Sequence, residues 1–113
     1  MKAVLRKNED RIHKKDAWKT SAYAFVPYQT NFGELCGFAD DNVAGGQGFG
    51  MHPHKNMEIS TILMSGAQAH KDDTGGAGIL TTTGVQTMSA GTGIMHSEYN
   101  ASDSEPFWSF QIW

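Results

Sequence analysis

From Ala22 onward the chain breaks into short runs of β-forming residues, each closed by glycine, asparagine or aspartate, and this rhythm fits a sheet protein far better than a helical one. The expected strands are Ala22–Val26, Glu34–Ala39, Gly48–His54, Glu58–Met64, Ala67–Asp72, Gly78–Thr82, Val85–Ser89, Ile94–Asn100 and Phe107–Trp113. Between them lie segments with turn chemistry, such as Asp40-Asp41-Asn42, Gly45-Gly46, Asp72-Asp73-Thr74-Gly75-Gly76 and Gly91-Thr92-Gly93. Only the stretch from Asn8 to Trp18 carries a short helical period. With 113 residues there is room for one hydrophobic core and not for two. Many short strands around one core imply an all-β sandwich or barrel. The expected organisation is a charged N-terminal segment, 1–20, followed by a single β domain, 21–113.

Charge argues against direct contact with nucleic acid. The formal balance is −3, and the bases of the N-terminal stretch (Lys2, Arg6, Lys7, Arg11, Lys14, Lys15, Lys19) alternate with Glu9, Asp10 and Asp16. A phosphate-binding face needs an uncompensated basic patch, so this stretch reads as a solvated segment. Cys36 is the only cysteine, which excludes an internal disulfide and suits a reducing compartment. No apolar run follows the N-terminal charges, and none approaches the ~20 residues of a membrane span. The expectation is a cytoplasmic protein with no membrane contact.

Two segments share a format: a glycine-rich approach, then two ligand-type residues one apart. The first is Gly46-Gln47-Gly48-Phe49-Gly50-Met51-His52-Pro53-His54, the second Gly91-Thr92-Gly93-Ile94-Met95-His96-Ser97-Glu98. On a strand, residues two apart share a face. His52 therefore projects with His54, and His96 with Glu98. If both pairs face one barrel interior, three imidazoles and a carboxylate converge, a set suited to a divalent first-row metal. Burying these polar groups without a partner is costly, and a cation is the partner that removes the cost. Glu58 has the same strand parity as the first pair, so geometry alone also permits it to face inward.

These residues carry a resemblance. Gly46-x5-His52-x-His54-x3-Glu58 followed by Gly66 is close to the first cupin motif, and Gly93-x2-His96-x3-Asn100 matches the end of the second. More narrowly, His52-Pro53-His54-Lys55-Asn56-Met57-Glu58, the segment from Gly66 to Asp72, the run from Val85 to Asn100, Glu105-Pro106 and Gln111-Ile112-Trp113 resemble the pirin family over roughly Gly33 to Trp113. The resemblance implies a cupin-type β-barrel (double-stranded β-helix, or jelly roll) with a non-haem iron held by His52, His54, His96 and Glu98. It favours Glu98 over Glu58 as the carboxylate ligand. Imidazole and carboxylate donors also accept manganese, nickel, cobalt, copper or zinc. Pirins usually have two cupin domains, and this chain matches the first.

Some pirins act as quercetinases. The resemblance therefore implies a quercetin 2,3-dioxygenase-like oxidoreductase that opens a flavonol with dioxygen and releases carbon monoxide, Glu98 doubling as the catalytic group that takes the substrate proton. The other implied reading is a non-catalytic, iron-dependent protein-binding or transcriptional co-regulator module. A third is a domain whose site is intact and idle. Among other residues, His70 is expected to be hydrogen-bonded rather than a fifth ligand, His13 solvated, Cys36 a small buried apolar residue, and Met51, Met57, Met88 and Met95 part of the core. The apolar terminus Phe107, Trp108, Phe110, Ile112 and Trp113 leaves one strand face seeking cover, from which a homodimer through the C-terminal strand is expected.

Overall fold

In the computed structural model, which describes residues 3–27 and 29–113, alternation of side chains decides nearly everything. Along Glu58–Ser65 the residues Ile59, Thr61 and Leu63 are buried while their neighbours are not, and along Ile94–Asn100 the buried set is His96, Glu98 and Asn100. Both are period-two patterns of strands with one face turned inward.

Among the described residues, ten strands follow a 3-10 turn at Asn8–Asp10: β1 (Ile12–Lys15), β2 (Lys19–Phe25), β3 (Phe38–Val43), β4 (Gly48–His54), β5 (Glu58–Ser65), β6 (Ala67–Asp72), β7 (Ala77–Thr81), β8 (Val85–Ser89), β9 (Ile94–Asn100) and β10 (Phe107–Ile112). They form a six-stranded sheet in the order β1-β2-β3-β10-β5-β8 and a four-stranded sheet in the order β4-β9-β6-β7, with antiparallel pairing throughout. This is the all-β, cupin-type architecture expected. The chain crosses between sheets at Gly66, whose φ of +82° suits glycine, and a Cβ there would meet Phe107 at 2.8 Å.

The interior is layered. Val43, Leu63 and Phe107 form one apolar cluster, with Trp18, Phe49 and Leu80 packed on it. Met57, Ile59 and Ala90 form a second, with Cys36, Met88, Ile94 and Trp113 around it. Burying each of the larger side chains contributes about 1.5–3 kcal/mol. Other inward positions are polar: Ser21, Asp41, Thr61, Gln68, His96, Glu98, Asn100 and Ser109 are all buried.

Several expectations need correction. The helical period between Asn8 and Trp18 yields only the 3-10 turn and then β1, whose four residues stay exposed while their backbone pairs with β2. The segment expected to be solvated thus adds a strand to the sheet, and Arg11 pairs with Asp40 at 3.0 Å; Lys2 lies outside the described residues. The strand expected at Glu34–Ala39 runs instead over Phe38–Val43. Asp40-Asp41-Asn42, taken as a turn, is its middle, because Asp41 points inward to accept a hydrogen bond from Ser21 Oγ at 2.5 Å, and Trp108 Nε1 donates to Asp40 at 2.7 Å. β10 lies between β3 and β5, so both its edges are already paired. Phe110 packs on Phe38 (ring centroids 5.5 Å) and on Trp108 (5.6 Å). A second copy could therefore meet the C-terminal strand only through its face, where Phe110, Ile112 and Trp113 are half-buried. Met51, expected in the core, is half exposed. No helix among the described residues is long and apolar enough to cross a membrane.

Candidate metal centre

β4 and β9 run antiparallel with His52 opposite His96 and His54 opposite Ile94. The register shifts between Phe49 and His52, a bulge of the kind that re-aims side chains. Gly48 allows the close approach before it, since a Cβ there would collide with the Glu98 carbonyl oxygen and with Tyr99. The outcome is a triangle of imidazoles with ring centroids 4.4 Å apart for His52 and His96 and 4.9 Å for each of the other two pairs. One nitrogen from each ring lies within 4.8 Å of the others.

His96 is 1% exposed, and neither of its ring nitrogens has a hydrogen-bond partner. Leaving such a group unpaired costs about 1–3 kcal/mol, so the pocket is built for something that the protein itself does not supply. A cation accepting the lone pair of a neutral imidazole fits, and the donor set of three histidines is one that transition metals favour. His52 Nδ1 lies 2.7 Å from the Gly50 carbonyl. A carbonyl only accepts, so Nδ1 carries the proton and Nε2 keeps its lone pair free.

Burial, followed by the neighbouring His52 and His54, holds His96 down to about 4. Burial and then His52 also lower His54. Burial thus holds His96 and His54 toward the neutral form, the form that ligates. His52 and His54 are half-buried, so the triangle is closed behind by His96 and reaches solvent on the β4 side.

Glu98 shares the inward face of β9 with His96 and is 3% exposed. Its carboxylate is not part of the three-histidine cluster. It accepts from Gln68 Nε2 at 3.0 Å and from Gln111 Nε2 at 2.9 and 3.0 Å. Burial raises its pKa, and the Gln111 hydrogen bond opposes that rise. Glu58 is on the outward face of β5, where Ser89 Oγ donates to it at 2.5 Å. Strand parity from His52 and His54 does not extend that far, because Asn56 takes a left-handed φ of +52° in the intervening turn.

His70 stands behind His96, ring centroids 5.3 Å apart. Its Nε2 bonds Asp72 at 2.9 Å and its Nδ1 bonds Gln86 at 2.8 Å, the hydrogen-bonded state expected for it. The Thr74 hydroxyl, then His70, hold Asp72 below the usual carboxylate range. His13 is exposed, with Nε2 2.8 Å from the Asn8 carbonyl oxygen. Sequence reasoning missed Gln68 and Gln111. The signal for Gln68 was available, because it sits two and four positions before His70 and Asp72 on one strand face. Gln111 follows from the same alternation along β10, where Phe107 and Ser109 also point inward.

A pirin family model matches residues 5–113, a longer stretch than the motifs alone suggested. The chain is 43% identical over 115 residues to a quercetin 2,3-dioxygenase of Escherichia coli K12, covering 96% of this chain and 50% of that protein. It is 45% identical over 89 residues to a pirin-like protein of Caulobacter vibrioides, covering 79% of this chain and 38% of that one. The crystal structure of the bacterial pirin YhhW of Escherichia coli in complex with nickel(II) superposes with a TM-score of 0.90 at 40% identity, over 96% of this chain and 49% of that one. The chain thus spans about half the length, or less, of the relatives it matches. Motifs, barrel and histidine triangle agree with these likenesses, and the chain belongs to the pirin family.

Proposed function

We propose that the barrel holds one divalent transition metal, iron as the expected occupant, through His52, His54, His96 and Glu98, and that it serves as the metal domain of a quercetinase-type dioxygenase acting on a flavonol-like aromatic substrate. The observation that carries this reading is the buried, unpartnered His96 set against two more imidazoles. The fourth ligand rests on Glu98 sharing the His96 face of β9. The name of the Escherichia coli relative supports the reaction class, and the single-domain organisation over 21–113 belongs to the same proposal.

Bound there, the metal supplies Lewis acidity and open coordination positions for a chelating substrate and dioxygen. The protein's part is separable. His96, sealed in the interior, anchors the site from behind, while His52 and His54 present it to solvent. Glu98 is a base in a dry interior, and burial brings its proton affinity closer to neutrality. A carboxylate beside a cation can exchange between ligand and base, so Glu98 is suited to take the proton of the flavonol 3-hydroxyl on the lone pair it otherwise offers the metal. The net reaction consumes one dioxygen, cleaves the central ring and releases carbon monoxide.

The test is elemental analysis of protein purified without added metal, followed by quercetin turnover with each of iron, manganese, nickel, cobalt and copper. About one metal per chain and turnover that disappears in Glu98→Ala are expected. Absence of turnover with every metal rejects catalysis; with metal still bound, it leaves the protein-binding reading, which a pull-down compared between ferrous and ferric protein then tests.

A further inference from the structure

Glu98 is held asymmetrically. Oε1 accepts from two amides, Gln68 Nε2 (3.0 Å) and Gln111 Nε2 (2.9 Å), whereas Oε2 accepts from Gln111 alone (3.0 Å). Each carboxylate oxygen offers two lone-pair directions, so Oε1 is filled and Oε2 keeps one. We infer that Gln68 and Gln111 form a clamp that reserves Glu98 Oε1 for the protein and presents Oε2 alone to the metal. This rests on the reading of Glu98 as a ligand.

The clamp draws on both sheets. Gln68 lies on β6, beside β9, and Gln111 on β10 across the barrel, where its amide also donates to Thr61 Oγ1 at 3.2 Å. An ionised carboxylate only accepts, so both amides must turn their NH2 groups toward it. For Gln68, 2% exposed, that orientation leaves its own Oε1 buried without a partner. A buried orphan acceptor is costly, and the structure carries it to keep a donor on Glu98. The choice of residue type also follows. Lysine or arginine here would hold the carboxylate equally well but would cancel its charge and compete with the cation, whereas glutamine fixes the group and leaves the charge for the metal. With Oε1 occupied, Glu98 ligates through one oxygen, and the coordination position that a second oxygen would fill stays open.

Gln68 and Gln111 are thus positioning residues, acting through Glu98. The probe is cobalt(II), whose visible spectrum reports coordination number, with the dissociation constant measured by competition against a chelator. Gln111→Met and Gln68→Met preserve bulk and remove the donors. Each is expected to retain one metal per chain, weaken cobalt binding by roughly 10–100-fold and alter the cobalt spectrum. Gln86→Met, which removes a nearby amide bonded to His70, is expected to leave spectrum and affinity within about twofold; an equal loss in this variant overturns the inference, since any buried amide would then do. Far-UV circular dichroism of each metal-free variant checks folding, and two independent clamp variants keep the test open if one fails to fold. Should Glu98→Ala change affinity and spectrum while neither clamp variant does, the clamp is wrong and the ligand reading stands. Should Glu98→Ala itself change nothing, both fall.

Discussion

The two sheets divide the work of this barrel unequally. The four-stranded sheet turns His52, His54, His96, Glu98, Gln68 and Asn100 toward the interior, whereas the six-stranded sheet contributes Val43, Leu63, Phe107 and Ile59, with Ser21, Asp41, Thr61 and Ser109 between them. One sheet therefore faces the interior almost wholly with polar groups, whereas the other alternates apolar side chains that exclude water with polar ones. Where satisfaction is incomplete, at His96 and Gln68, the protein is prepared for a ligand rather than optimised for itself.

Breaking the polar side should abolish binding without unfolding. His96→Leu removes two unpartnered buried nitrogens, so the metal-free variant should be as stable as the parent or more so. It should also lose the metal-dependent stabilisation, which for the parent amounts to about 2.7 kcal/mol at a free metal concentration of one hundred times the dissociation constant, and with it the rise in melting temperature. Differential scanning calorimetry with and without metal checks both statements; a large destabilisation of the metal-free form would mean that His96 packs as core and nothing more.

Breaking the apolar side should do the reverse. Phe107→Ala opens a cavity beside Val43 and Leu63 and should cost about 3–5 kcal/mol in urea unfolding, while the folded fraction still takes up one metal. Between these extremes, Asn100 joins the sheets: its Nδ2 lies within 3.2 Å of the carbonyls of Val43, Ala44 and Glu105. Asn100→Ala should cost about 1–3 kcal/mol, with the loss tracked by faster amide exchange near Val43 and Glu105.

The smallest expected effect is one of pH. Burial raises the Asp41 carboxyl above its ordinary 3.8, against the opposing Ser21 hydrogen bond and Lys19. The native state then holds this proton more tightly than the unfolded chain does. Its stabilising contribution is present below 3.8 and is lost as pH rises through the folded value. Asp41→Asn keeps an acceptor for Ser21 and has no proton to lose, so its stability relative to the parent should increase from pH 3.8 upward and then level off. A flat difference across that range removes the argument.

Where side-chain chemistry and strand alternation reinforce each other, the fold was legible. Gly48–His54, Ala67–Asp72, Val85–Ser89 and Ile94–Asn100 all begin and end where turn residues and alternation place them. Where they conflict, it was not. β1 is four residues of Ile-His-Lys-Lys with no buried member, held by backbone pairing to β2, and such pairing leaves no hydrophobic trace. Asp40-Asp41-Asn42 has turn composition yet lies in a strand, because the polar layer of the interior takes an aspartate where an ordinary core takes valine. The histidine triangle was readable from two pairs of residues each one apart. The glutamines were legible only as to place: alternation puts both on inward faces, but an isolated Gln carries no chemical signal until the carboxylate it faces is known.

β4 is an edge of its sheet, bonded to β9 on one side only, and it carries two of the three imidazoles. Fraying of that outer ribbon would carry His52 and His54 away together, leaving a cation with His96 alone from the triangle. On the proposed ligand set, uptake and release of metal would be tied to the breathing of that single seam, and a bound ion would work as a rivet through it. Amide exchange along Gly48–His54 should slow on metal loading far more than exchange in β10, which is laced on both flanks.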